Sequence, residues 1–173
     1  MIIMVTEIVN DLQDVSAELF QLLAACNQEQ INAVPFENSW TPAQVAEHVT
    51  KSNKAITEAL GMAGKATERN PVEGVQKLKA MFLDFTVKLQ SPEFILPTQD
   101  YYQQEILMAE LEKLSQNLIE LASKVNLSEE VNVHPFGEIT KIELLYFVLY
   151  HTKRHIHQVK DILLLTQENQ DNV

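Results

Sequence analysis

The chain has 173 residues, with 13 Lys plus Arg against 24 Asp plus Glu, for a formal net charge of −11. That balance argues against binding to a phosphate backbone, which depends on clustered cations. A hydrophobic fraction of 46% with mean hydropathy −0.10 is that of a globular chain with a buried core, not of a disordered one.

The four glycines, Gly61, Gly64, Gly74 and Gly137, compose neither G-x-G-x-x-G nor G-x-x-x-x-G-K-[ST], so no Gly-rich phosphate loop can be built from them. Cys26 stands alone, which rules out an intramolecular disulfide and a thiolate metal cluster and fits a reducing compartment. The first seven residues carry no basic segment ahead of their apolar ones, and the longest apolar run, residues 144–150, falls far short of the ~20 residues of a membrane span. A cytoplasmic protein with neither membrane nor nucleic acid as partner is expected.

All glycines and prolines fall in four clusters, residues 35–42, 61–74, 92–97 and 135–137, separated by long breaker-free stretches. The first stretch places Val5, Ile8, Leu12, Val15, Leu19, Leu22 and Cys26 in steps of three and four, predicting a helix over about 5–27. The second, over about 42–60, opens with a capping box: Thr41 caps, Pro42 takes the first helical position, and Gln44 reaches back, with Trp40 placed to staple onto Val45. Val75, Leu78, Met81, Phe82 and Phe85 predict a shorter helix within 75–89, and residues 92–97 read as a crossover loop. Leu107, Leu111, Leu114, Leu118, Leu121 and Val125 keep heptad-like spacing and predict a helix over about 102–125. The last, about 141–166, repeats the capping device at Thr140 and Glu143 and is apolar on nearly all sides in its first half, predicting a central position. A polar tail from residue 167 is expected to fray. No stretch shows sustained strand alternation. The expectation is one all-α domain over residues 1–173, a four-helix bundle with a long, partly helical second connection.

Bundle cores assemble metal sites from ligands that project inward on facing helices. Residues 150–158 read Tyr-His-Thr-Lys-Arg-His-Ile-His-Gln. At about 100° per residue His151 and His155 share a face one turn apart, His157 points elsewhere, and Gln158 lies almost above His151, where it can complete a site or orient a ligand. A third ligand is needed, and the candidate is His48, the other histidine inside a main predicted helix, on a polar stripe of the second helix with Gln44 and Ser52. Three neutral imidazoles with an open fourth position are the arrangement of catalytic zinc sites. Two histidines four residues apart are equally what a polar pair packed into a crowded core provides. Thr152 after His151 breaks the H-E-x-x-H pattern, so a built-in Glu base is absent. Glu47 reads as a solvated charge, Cys26 as a small buried hydrophobe, His134 as a structural loop residue, and Tyr101 and Tyr102 as packing or cavity residues.

Two segments carry a family resemblance. Ser39-Trp-Thr-Pro-Ala-Gln-Val-Ala-Glu-His48-Val resembles the first-histidine region of the DinB-like superfamily. His134-Pro-Phe-Gly137 with His151-x-x-x-His155-x-x-Gln158 resembles that family's final loop and helix. These are metal-binding four-helix bundles that include YfiT-type hydrolases and bacterial thiol transferases. Together the segments cover under a third of the chain, and residues 61–100 match nothing useful.

The resemblance implies that His48, His151 and His155 hold a divalent transition metal, zinc or nickel, with water or substrate completing the coordination, and that the protein is a homodimer. It implies an enzyme acting on a small molecule: a transferase that activates a low-molecular-weight thiol, or a hydrolase. The alternative is a non-catalytic metal-binding or stress-related interaction protein. The acid–base residues are not identified by the sequence.

Overall fold

A computed structural model describes residues 2–171 of the chain. In chain order its elements are α1 (Ile2–Ala24), α2 (Gln28–Ile31), α3 (Pro42–Gly61), β1 (Lys65–Ala66), α4 (Val75–Phe82), a 3-10 turn (Glu93–Ile95), α5 (Gln104–Ala122), β2 (Glu129–Val133), β3 (Gly137–Thr140) and α6 (Lys141–Asp171). The four long helices form the expected bundle, because each has one apolar stripe to bury. Leu12 and Leu19 of α1, Val45 and Leu60 of α3, Leu111 and Leu118 of α5, and Leu144 and Val159 of α6 meet in its core. The first half of α6 is central as expected: from Lys141 to Thr152 every residue but Tyr146 is buried.

α1 and α3 each pack against both α5 and α6, which places α1 diagonally across from α3 and α5 diagonally across from α6. Two of the three connections between long helices therefore cross a diagonal, which a tight hairpin cannot do.

Several boundaries differ from the sequence expectation. α1 ends at Ala24, not near residue 27, because Asn27 caps α2 instead: its side chain accepts from the N–H groups of Glu29 and Gln30, and Gln30 reaches back to the Asn27 N–H. α4 stops at Phe82, well before residue 89. α5 stops at Ala122, and Leu127 and Val131 carry the buried pattern onward in a different geometry. α6 continues beyond the expected end to Asp171, so residues 167–171 are helical, while Asn172 and Val173 lie outside the described residues.

The largest correction is a three-stranded antiparallel sheet, β1-β2-β3, at the start of α6. β2 pairs Val131 with Ile139 and Val133 with Gly137, and Gly137 takes φ +72° at the turn, a conformation that favours glycine. Strands of two to five residues are too short to establish an alternating pattern. The sheet and the long second connection are tied to α6 by one buried carboxylate. Glu143 accepts from Arg69 through both guanidinium ends at 2.7 and 2.6 Å, from the Gly74 N–H at 2.6 Å and from the Thr140 N–H at 3.0 Å. A Cβ on Gly74 would stand 2.8 Å from Glu143 Oε1, so this approach requires glycine. The Glu143 and Thr140 contacts also complete the capping box read from the sequence. No helix among the described residues is long and apolar enough to cross a membrane.

Candidate metal centre

α3 and α6 pack side by side, and His48 on one faces His151 and His155 on the other. Nε2 of His151 lies 3.0 Å from Nε2 of His48 and 3.1 Å from Nε2 of His155. The three residues are 1%, 5% and 7% exposed, so all are held away from bulk water. His157 is excluded, as the helical spacing required: it is exposed, stacks on Phe85 and pairs with Asp161.

Each outer ring is oriented by its Nδ1. His48 Nδ1 donates to the carbonyl of Ile95 at 2.9 Å, and His155 Nδ1 donates to Gln158 Oε1 at 2.8 Å. Both Nε2 atoms consequently carry lone pairs, and both point at His151. Nδ1 of His151 is buried with no hydrogen-bond partner. The two separations from His151 Nε2, 3.0 and 3.1 Å, are close to the edge of a coordination polyhedron, about 3.3 Å for a tetrahedron with metal–nitrogen bonds of 2.0–2.1 Å, and all three ligand atoms lie within 4.8 Å of one another. The donor set thus fits a divalent transition ion; without one, a proton on His151 Nε2 can satisfy only one of the two facing lone pairs at a time.

Burial keeps these rings neutral, the form that coordinates. It lowers His48, with the Lys51 charge adding to the effect. It lowers His151 well below the usual value, assisted by His155 and His48. It brings His155 to about 3, with His48 contributing and the Gln158 contact opposing. Aromatic rings complete the enclosure: Trp40 lies 5.2 Å from His48, Phe147 4.9 Å and Phe82 6.0 Å from His151.

Two expectations about neighbouring residues are corrected. Gln44 does not line the site. Its Oε1 accepts from the Thr41 N–H and its Nε2 donates to the Gln99 carbonyl, because the capping box holds its amide at the start of α3, one turn before His48. Glu47 is not a solvated charge. Its carboxylate accepts from the Tyr102 hydroxyl, from the Thr98 N–H and Oγ1 at 2.8 Å each, and from Lys51 at 3.2 Å. Burial would raise its pKa, but these donors outweigh that and hold it below the usual carboxylate range.

Gln44, Glu47, His48 and Lys51 together hold the strap of residues 95–102 along α3, with Lys51 donating to the Leu96 carbonyl at 2.7 Å. Tyr102 is buried just before α5 while Tyr101 is exposed, and Cys26 is buried as expected.

Beyond Trp40 and Gln158 opens a cleft of about 740 Å³, bounded by residues 36–40, residues 85–91, Leu96 and the α6 face of Arg154, His157, Gln158 and Asp161. Its size falls in the range of small-molecule sites. Ile95, which orients His48 through its main chain, and the cleft walls were not identified from sequence.

The DinB superfamily profile matches residues 11–159, most of the chain. The chain belongs to the DinB superfamily. It is 28% identical over 155 residues to the uncharacterized protein YuaE of Bacillus subtilis (strain 168), an alignment covering 84% of this chain and 90% of YuaE. Two solved four-helix bundles share the fold, each with a TM-score of 0.60. One is TT2238, a four-helix bundle protein, at 20% identity over 91% of this chain and 98% of that one. The other is YfiT from Bacillus subtilis, described as a probable metal-dependent hydrolase with an unusual four-helix bundle topology, at 15% identity over 91% and 85%.

Proposed function

We propose that this DinB superfamily protein is a metal-dependent hydrolase of a small molecule bound in the cleft beside the histidine triad. One observation carries the reading: the buried Nε2 atoms of His48 and His155, each with its Nδ1 already committed, lie within 3.1 Å of His151 Nε2, behind Trp40 and Gln158, which line a cleft of ligand size. A divalent ion held by such a set, with zinc or nickel suited to neutral imidazoles, supplies Lewis acidity and a nucleophile at neutral pH by acidifying a coordinated water or thiol.

The protein's own groups bind and orient. The Ile95 carbonyl and Gln158 fix two rings in the tautomer that presents Nε2, while Phe82, Phe147 and Trp40 keep water from the inner side. Among the described residues no carboxylate hydrogen-bonds to the triad, since Glu47 is engaged by Tyr102, Thr98 and Lys51.

The description of YfiT as a probable metal-dependent hydrolase favours water as nucleophile. A low-molecular-weight thiol as nucleophile is the second reading, since the superfamily that the segments around His48 and His151 resemble includes bacterial thiol transferases as well as hydrolases. The test presents metal-loaded protein with an ester, an amide, and an electrophile plus small thiols, with His155→Ala as control. Turnover without thiol supports hydrolysis, and turnover that requires thiol supports transfer. A fourth protein ligand closing the coordination sphere would overturn both.

A further inference from the structure

We propose that the cleft selects a small organic anion, an apolar or aromatic body carrying one carboxylate or phosphate group, and that Arg154 and Lys88 recognise the anion. The proposal rests on the reading of this cleft as the substrate site.

Two features of the cleft point the same way. The first is charge. Arg154 and Lys88 face it with Asp161 as the single carboxylate on its wall, in a chain whose net charge is −11. Asp161 lies 3.0 Å from His157 Nδ1, a pair that is ionic when the imidazole is protonated, and Asp84, which lies within the field of Arg154, accepts from the N–H and hydroxyl of Thr86.

Arg154 donates to the carbonyls of Phe82, Asp84 and Val87. These fix the guanidinium in place without neutralising it, and they occupy three of its five N–H donors. Among the described residues neither Arg154 nor Lys88 forms an ion pair. A cation preset by main-chain acceptors, with donors to spare, is a ready partner for a planar or tetrahedral oxyanion. Since the molecule as a whole repels anions, a local pair of cations is what an anionic ligand requires.

The second feature is apolar surface. Phe36 is 60% exposed, Phe85 45% and Leu96 38%, and with Trp40 they line the same cleft. Aromatic walls with a few convergent polar groups characterise a site for a small molecule with an apolar body.

Trp40 is the single tryptophan of the chain, so its emission reports directly on the cleft. The full chain, metal-free and metal-loaded, is titrated with phenylpropanoate, phenylethyl phosphate, phenylpropanol and phenylpropylamine, with metal content measured in parallel. At least one anion is expected to change Trp40 emission saturably and to bind roughly tenfold or more tightly than the alcohol, with the amine weakest, as one charge-assisted contact provides. The order of the two anions identifies the group.

Lys88→Glu, a change at an exposed residue, is expected to reduce anion binding to the level of the alcohol, and Arg154→Gln to do the same with the helical spectrum retained. Equal binding of anion, alcohol and amine, or anion binding indifferent to Lys88→Glu, overturns the proposal. Metal uptake with no anion preference rejects this inference alone, whereas anion preference without metal uptake rejects the metal-dependent function alone.

Discussion

His155 shows how a single side chain is prepared for coordination. Its Nδ1–H is committed to Gln158 Oε1, so the ring cannot rotate its Nε2 away without leaving a buried donor unpaired. Gln158→Leu removes that acceptor while keeping bulk. It is expected to weaken metal affinity by about 10- to 100-fold, the usual effect of losing an outer hydrogen bond to a ligand, as measured by competition with a chelator.

Acid should act through the same rings. Their folded pKa values lie below the ordinary 6.5, so as pH falls the unfolded chain takes up protons first. Stability of the metal-free chain is therefore complete above about 6.5 and lost progressively towards about 3, the value of His155. A melting temperature independent of pH across that window would contradict a neutral buried triad.

The triad was legible in the sequence because i and i+4 share a helix face and His48 sat on a polar stripe of an otherwise apolar helix. The acceptor for His48 was not, because it is a main-chain carbonyl, and Ile95 is one of many residues that offer one.

At the scale of elements, Glu143 joins three of them: Arg69 and Gly74 from the long second connection and Thr140 from β3 all donate to it. Burial would raise its pKa, but the guanidinium and backbone donors outweigh that and hold it below the usual range. Its contribution is thus present above about 4.5 and lost as pH falls below that value. Glu143→Gln leaves Arg69 with a weakened partner and should cost about 2 kcal/mol of stability in urea unfolding, a value moderated by the partial exposure of Arg69. An unchanged midpoint would show that the connection is held otherwise.

Both capping boxes could be read directly, since the Thr41–Gln44 and Thr140–Glu143 pairs need residues only three apart. The sheet could not. β2 offers Glu-Glu-Val-Asn-Val with one fully buried position, and β1, with two residues, gains its identity entirely from pairing with a segment more than sixty positions away.

For the whole molecule, periodicity gave the buried face of each long helix but not which helices are neighbours. That α1 faces α3 across a diagonal is a property of the packed bundle, and it lets the connections at residues 36–40 and 85–91 meet over α6 as the walls of the cleft. Those walls come from three separate stretches of chain, which explains why no local motif announced them.

The bundle brings α3 against α6, so the proposed ligands come from two helices and loss of any one should dismantle the site. The most direct measurement is metal stoichiometry of the full chain and of His48→Ala, His151→Ala, His155→Ala and His157→Ala, by elemental analysis after equilibration with zinc or nickel. About one ion per chain is expected in the parent and in His157→Ala, and none retained by the other three. Equal retention in all variants, or none in the parent, would contradict a metal centre at His48, His151 and His155.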